Sequence, residues 1–90
     1  MNYDELKKDM EAVDASTSGE INAQWSEGLH WWLSIIQWEN DDERAYTYVY
    51  ECCDDDMCGC GEYEKYDSID SLLSENKNII DGFSWGRCTI

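Results

Sequence analysis

The stretch from Arg44 to Cys52 alternates along the chain, and this alternation constrains the fold more than any other feature of the sequence. One set of positions carries Tyr46, Tyr48 and Tyr50, and the other carries Ala45, Thr47, Val49 and Glu51. Because successive side chains of an extended chain point to opposite faces, the pattern predicts a β-strand with one aromatic face.

The residues before this strand predict its hairpin partner. Residues Leu29 to Trp38 are rich in Trp, Leu and Ile, which favours a strand buried on much of both faces. Between the two strands, Glu39 to Glu43 is a polar turn. The spacing therefore predicts an antiparallel hairpin.

Helical periodicity marks both flanks of the hairpin. Asn2 followed by Glu5 resembles an N-terminal capping pair, and apolar residues at helical spacing then predict an amphipathic helix over residues 3–15. Asp67 or Ser68 is expected to cap a second helix that ends near Asn76 and buries Ile69, Leu72 and Leu73. Residues 20–28 stay ambiguous, because Trp25 fits a helical spacing while Gly28 opposes a helix.

Three shorter segments complete the expected fold. A third strand is predicted at Glu62 to Tyr66, a return loop at Asn78 to Gly82, and a last strand at Phe83 to Ile90. Ninety residues support one hydrophobic core, so residues 1–90 are expected to form a single domain. The predicted class is α+β: a small three- to four-stranded antiparallel sheet with helices on one face, an N-terminal helix and a second helix before the last strand.

The chain carries a formal net charge of −15, from 21 Asp and Glu against 6 Lys and Arg. Five Trp and six Tyr supply enough large rings for a folded core despite this charge. A net charge of magnitude about 2–8 is enough to keep a small domain soluble, so solubility alone explains the acidity poorly. The same charge disfavours direct binding to nucleic acid or an anionic membrane. The first residues contain no signal segment, which predicts a cytoplasmic protein with reduced thiols.

The densest acidic region predicts a binding surface for a basic protein. Between Glu39 and Glu64 there are ten carboxylates against one base, Arg44. The alternative is a solvated acidic face with no partner. The tyrosines allow two interpretations as well, packing against the helices or an aromatic anchor patch, and Trp25 and Trp38 are the candidates for exposed anchors. The expected partner-binding residues are Glu39, Asp41, Asp42, Glu43, Glu51, Asp54, Asp55, Asp56, Glu62, Glu64, Tyr46, Tyr48 and Tyr50.

The cysteines do not follow the usual spacing of a zinc site. Structural zinc sites take pairs of ligands separated by two to four residues, whereas here two cysteines are adjacent, a gap of four residues follows, and the next two are separated by one residue. Free thiols are expected, and the alternative zinc set is Cys53, Cys58, Cys60 and Cys88. The run Asp54 to Asp56 lacks the alternating ligands of a calcium loop. No cofactor is therefore expected.

The sequence contains one histidine, His30, and no nucleophile motif lies beside it. We therefore expect a protein that is not an enzyme. A very acidic, aromatic-rich chain of this length resembles the small inhibitors that bacteriophages make, such as DNA-mimicking anti-restriction proteins and anti-CRISPR proteins. The resemblance implies an inhibitor that blocks the nucleic-acid groove of a host defence nuclease, a CRISPR effector or a restriction nuclease. Two alternatives stay open: an immunity protein or antitoxin that neutralises a basic toxin, and a zinc-stabilised adaptor.

Overall fold

The first helix begins at the predicted capping pair. A computed structural model describes residues 1–16, 20–27, 31–49 and 63–88. The first helix, α1, spans Tyr3–Ser16. The Glu5 amide donates to Asn2 Oδ1 at 2.9 Å, and the Asn2 amide donates to Glu5 Oε1 at 3.3 Å. These two bonds satisfy amides that the first helical turn leaves unpaired. Leu6, Met10 and Val13 are buried on one side of α1.

Within the described ranges, one antiparallel sheet contains all the strands. Its members are β1 (Ile21–Ser26), β2 (Trp32–Gln37), β3 (Ala45–Val49), β4 (Tyr63–Tyr66) and β5 (Gly86–Arg87). The order across the sheet is β4-β3-β2-β1-β5, so β2 is the central strand. β2 and β3 form the predicted hairpin, with Leu33 opposite Tyr48 and Ile35 opposite Tyr46.

Two helices follow β4 in the chain. α2 spans Ile69–Glu75, and Ser68 caps it by accepting a hydrogen bond from the Ser71 amide at 3.1 Å. α3 spans Lys77–Gly82. Between them, the buried Asn76 donates from Nδ2 to the Leu72 carbonyl oxygen at 2.8 Å. The fold is therefore α+β, as predicted, with five strands in place of three or four.

The hydrophobic core lies between one face of the sheet and the helices. The face that carries Trp25, Leu33 and Ile35 packs against Leu6 and Leu72, all of them buried. Tyr46, Tyr48 and Tyr66 are half-buried at the margin of the same core. The helices therefore cover one face, because the inward side chains of every long strand meet them there.

The region before β2, which the sequence left undecided, contains a strand. Residues 20–28 were ambiguous, yet Ile21, Ala23 and Trp25 are buried in strict alternation with polar neighbours, which is the pattern of a strand. Trp25 was a candidate for an exposed anchor, and this was wrong because its side chain is fully buried. Its indole Nε1 also donates to Asp9 Oδ2 at 2.7 Å.

The prediction for the C-terminal region was wrong in two places. The expected return loop at Asn78 to Gly82 is helical, because burial of Ile80 against the core outweighs the weak helix propensity of this segment. The expected last strand from Phe83 is only Gly86–Arg87 within the described residues. The remaining strands match their predicted positions to within about three residues. None of the helices in the described part of the chain is long and apolar enough to cross a membrane.

Candidate functional site

The turn between β2 and β3 holds the described part of the predicted acidic run. The Asp41 amide donates to the Trp38 carbonyl oxygen at 2.9 Å, which closes the turn. Gln37 Nε2 donates to the Asp41 carbonyl oxygen, also at 2.9 Å. The side chains of Glu39, Asp41, Asp42 and Glu43 are exposed. The turn is therefore held by its backbone, which leaves its carboxylates available to a partner.

The sheet register brings further carboxylates to the same place. Ile21 pairs with Gln37, Ile36 with Ala45, and Tyr46 with Tyr66. β1 and β3 therefore begin at the end of the sheet where β2 and β4 finish, and the last turn of α1 reaches the same end. We call this group the acidic end; its residues are Asp14, Glu20, Glu39, Asp41, Asp42, Glu43 and Asp67.

Arg44 holds the centre of the acidic end together. Its guanidinium forms an ion pair with the Asp14 carboxylate and also donates to the Asp14 carbonyl oxygen. Its Nε donates to Gln37 Oε1 at 2.9 Å. One side chain thus ties the end of α1 to the last residue of β2. The fixed, multidentate donors of a guanidinium suit this position better than a lysine would.

Tyr46 adds a second link to Asp14. Its hydroxyl donates to the two carboxylate oxygens, at 3.1 and 3.2 Å. Burial is the main cause that raises the pKa of Tyr46. The Asp14 carboxylate raises this pKa further by its charge and its hydrogen bond, while Arg44 lowers it. The hydroxyl therefore stays a donor across the physiological range, and Asp14 is oriented from two sides.

An open hollow lies between the turn, the end of α1 and the end of β4. Asp14, Asp42, Glu43 and Asp67 contribute carboxylates to its lining, and Arg44 contributes its guanidinium. Lys65 lines the adjoining hollow on the β4 side. The hollow is open to solvent and strongly acidic, which suits the insertion of Lys or Arg side chains from a partner.

Of the remaining predicted carboxylates, the structure describes Glu64. Glu64 sits within β4, opposite Tyr48, and its Oε2 accepts a hydrogen bond from the Tyr66 hydroxyl at 3.0 Å. It is exposed, but it does not belong to the acidic end. Glu51, Asp54, Asp55, Asp56, Glu62 and Tyr50 lie outside the described residues.

The described aromatic residues divide into packing and exposed groups. Tyr46 and Tyr48 pack against the core, and the Tyr48 ring stacks on that of Tyr66 with 5.9 Å between centroids. For Tyr46 and Tyr48, this arrangement matches the packing interpretation. Trp38 follows β2 directly and is 57% exposed, so it is the tryptophan that the structure leaves accessible beside the acidic end.

Three of the four cysteines in the alternative zinc set lie outside the described residues. Cys53, Cys58 and Cys60 lie beyond the described residues, and the thiol of Cys88 donates to Ser26 Oγ at 3.4 Å. Among the residues that are described, no three His, Cys, Asp or Glu side chains are grouped so as to hold a metal ion.

Sequence reasoning missed three members of the acidic end: Asp14, Glu20 and Asp67. They lie outside the dense run from Glu39 to Glu64, and only the register and the direction of α1 bring them to the turn. A signal for Asp67 was present, because it directly follows a predicted strand antiparallel to β3.

Comparison of the chain with models of known protein families, with curated proteins and with solved structures found no match.

Proposed function

We propose that this protein binds the basic, nucleic-acid-binding surface of another protein through its acidic end and blocks that surface as a nucleic-acid mimic. The observation that carries the proposal is the convergence of seven carboxylates from four segments of the chain. Asp14 is paired with Arg44, and the other six are exposed: Glu20, Glu39, Asp41, Asp42, Glu43 and Asp67. By its resemblance to phage inhibitors, the target class is a host defence nuclease, a CRISPR effector or a restriction nuclease, met in the bacterial cytoplasm.

The spacing at the acidic end supports this mode of binding. Neighbouring strands lie about 4.8 Å apart, so the ends of four strands span roughly 14 Å. Phosphates along one strand of DNA lie about 6–7 Å apart, and a groove that binds them carries Lys and Arg at a similar pitch. Because the backbone of the strand ends and of the closed turn is already ordered, binding in such a groove costs side-chain entropy and little backbone entropy.

The charge of the whole chain supports the proposal through association kinetics. A net charge of −15 on 90 residues creates a negative field that steers a basic partner before contact. At a physiological ionic strength this field acts over about 8 Å. The contacts at the acidic end then decide which partner stays bound.

The test is a capture experiment with the full chain from a bacterial lysate treated with nuclease. Retained proteins are identified by mass spectrometry and challenged with a 20-base-pair DNA duplex or an RNA of equal length. We expect a nucleic-acid-binding protein that is retained at low salt and displaced by one of the two competitors. A partner that neither competitor displaces would contradict mimicry and favour an immunity protein or antitoxin.

A far-end variant provides the matched control for this experiment. Asp4 lies in the first turn of α1, Glu75 is the last residue of α2, and Asp81 lies in α3. All three are exposed, and none of them lines the hollow at the acidic end. Their reversal to Lys changes the net charge by the same amount as reversal of Asp41, Asp42 and Glu43. Retention should survive the far-end reversal and be lost with the turn reversal, because net charge alone does not define the binding surface.

A further inference from the structure

The second face of the sheet differs from the face that covers the core. The strand register assigns to it Asn22, Gln24, Ser26, Trp32, Ser34, Ile36, Ala45, Thr47, Tyr63 and Lys65. The core cluster and the residues packed against it include none of these. None of the described helices packs on this face, which we call the outer face.

The central strand breaks the polarity expected for such a face. When one face of an antiparallel sheet lies away from the core, its residues are usually polar. β1 follows this rule with Asn22, Gln24 and Ser26. β2 departs from it with Trp32 and Ile36, which are half-buried, and the exposed Trp38 follows at the next alternate position. We call Trp32 and Ile36, together with Trp38 directly beyond the end of β2, the apolar strip.

Two hydrogen-bonded hydroxyl side chains lie at the centre of the outer face. Ser34 lies between the two apolar residues of β2, and its hydroxyl forms a hydrogen bond with that of Thr47 on β3. Both residues are buried, so each hydroxyl would cost free energy without the other. The bond gives each of the two buried hydroxyls a partner within the sheet.

We propose that the apolar strip of Trp32, Ile36 and Trp38 is a docking surface for a basic amphipathic segment of the partner. The apolar side chains of that segment lie on the strip, and its Lys and Arg side chains lie on the acidic end. The inference rests on the proposed function, because it takes the acidic end as the site that selects the partner. It adds that the partner offers an apolar surface beside its basic one.

Charge complementarity identifies the occupant. The strip runs into the acidic end, since Trp38 is adjacent to Glu39 and Ile36 pairs with Ala45, next to Arg44. A group seated there lies within about one Debye length of those carboxylates. A second copy of a chain with a net charge of −15, or a nucleic acid, would be repelled at that distance. A segment that bears both Lys and apolar side chains fits both surfaces.

The test compares two synthetic peptides with the full chain. Both have 14 residues and seven Lys; one alternates Lys with Leu, and the other alternates Lys with Ser. Affinity is measured by isothermal titration calorimetry at low salt. We expect the Leu peptide to bind at least tenfold more tightly, a gain that requires burial of only about 55 Å² of apolar surface at roughly 25 cal/mol per Å².

Variants locate this preference on the strip. The double variant Ile36→Thr, Trp38→Ser should lose the preference for the Leu peptide and keep its affinity for the Ser peptide. Trp38→Ser alone, at a 57% exposed side chain, should show part of the loss and guards against a folding defect in the double variant. The control Phe83→Ser removes another exposed hydrophobic residue and should change neither affinity.

The outcomes separate this inference from the proposed function. Equal affinities for the two peptides, or a preference that survives in the double variant, would overturn the docking surface and leave the acidic end in place. Failure of both peptides to bind would overturn both, because a basic ligand would then have no site on the chain. If the turn reversal lowers the affinity of the chain for both peptides and leaves the preference for the Leu peptide intact, the result would support both the docking surface and the proposed function.

Discussion

Replacement of Arg44 by Met tests whether the acidic end is a fixed structure or a loose set of charges. The substitution removes the guanidinium and keeps much of the aliphatic length, so packing of the stem changes little. It breaks the ion pair with Asp14 and the 2.9 Å hydrogen bond to Gln37. The Asp14 carboxylate then keeps the Tyr46 hydroxyl and loses its positive partner.

The expected loss of stability follows from the exposure of the pair. The side chains of Arg44 and Asp14 are 19% and 28% exposed, so the pair lies between a surface ion pair and a buried one. Surface pairs contribute about 0–1 kcal/mol, and hydrogen bonds to charged groups contribute about 1.5–3 kcal/mol. We expect a loss of about 2 kcal/mol. For a domain of this size, this loss lowers the Tm by roughly 8–16 °C.

The measurement is urea unfolding monitored by tryptophan fluorescence, with Lys8→Met as the matched control. Lys8 is exposed on α1, and its replacement changes the net charge by the same amount. The control should stay within about 0.5 kcal/mol of the parent. A loss below about 0.5 kcal/mol for Arg44→Met, or equal losses for the two variants, would refute the claim that Arg44 organises the acidic end.

Three further predictions concern the core and its margin. Trp25→Phe should cost at least about 1 kcal/mol more than Trp85→Phe by chemical unfolding followed by circular dichroism, because Trp25 Nε1 donates to Asp9 while the buried Trp85 Nε1 has no acceptor among the described residues. The pKa of Tyr66 is raised from 10.0 to about 12, and burial is the main cause. The stability that this hydroxyl contributes is therefore present below pH 10 and is lost as the pH rises toward 12, because the unfolded chain releases this proton first. Tyr66→Phe should make the fall of stability in that window shallower, and an unchanged slope would contradict the assignment. Asn76→Ala should cost about 1–3 kcal/mol, since it removes the buried 2.8 Å hydrogen bond to the Leu72 carbonyl oxygen, and a neutral result would show that the bond is dispensable.

Local patterns predicted most elements of the fold. The capping pair of Asn2 and Glu5, the alternation of β3 and the Ser68 cap each depend on neighbours in the sequence, and each occurs in the structure. β1 was also readable, because Ile21, Ala23 and Trp25 alternate with polar residues. A competing helical spacing from Trp25 through Leu29 to Trp32 hid that pattern. Where two periods fit the same apolar residues, the sequence alone does not choose between them.

Tertiary effects account for what the sequence did not predict. The helix α3 forms where local propensity is weak, because the core buries Ile80. The acidic end depends on which strand ends lie side by side, and this follows from the register rather than from the density of charge along the chain. For the same reason, Asp14 and Asp67 joined the site although neither belongs to the predicted run.

The central claim is that the acidic end is the surface that a basic partner binds. The most direct measurement is the affinity of the captured partner for the parent chain, for the triple variant Asp41→Lys, Asp42→Lys, Glu43→Lys, and for the far-end variant at Asp4, Glu75 and Asp81. We predict a loss of at least about 100-fold, or about 2.7 kcal/mol, for the turn reversal and less than about fivefold for the far-end reversal. Equal losses for the two variants would mean that net charge alone drives the binding. An unchanged affinity for the turn reversal would contradict the claim.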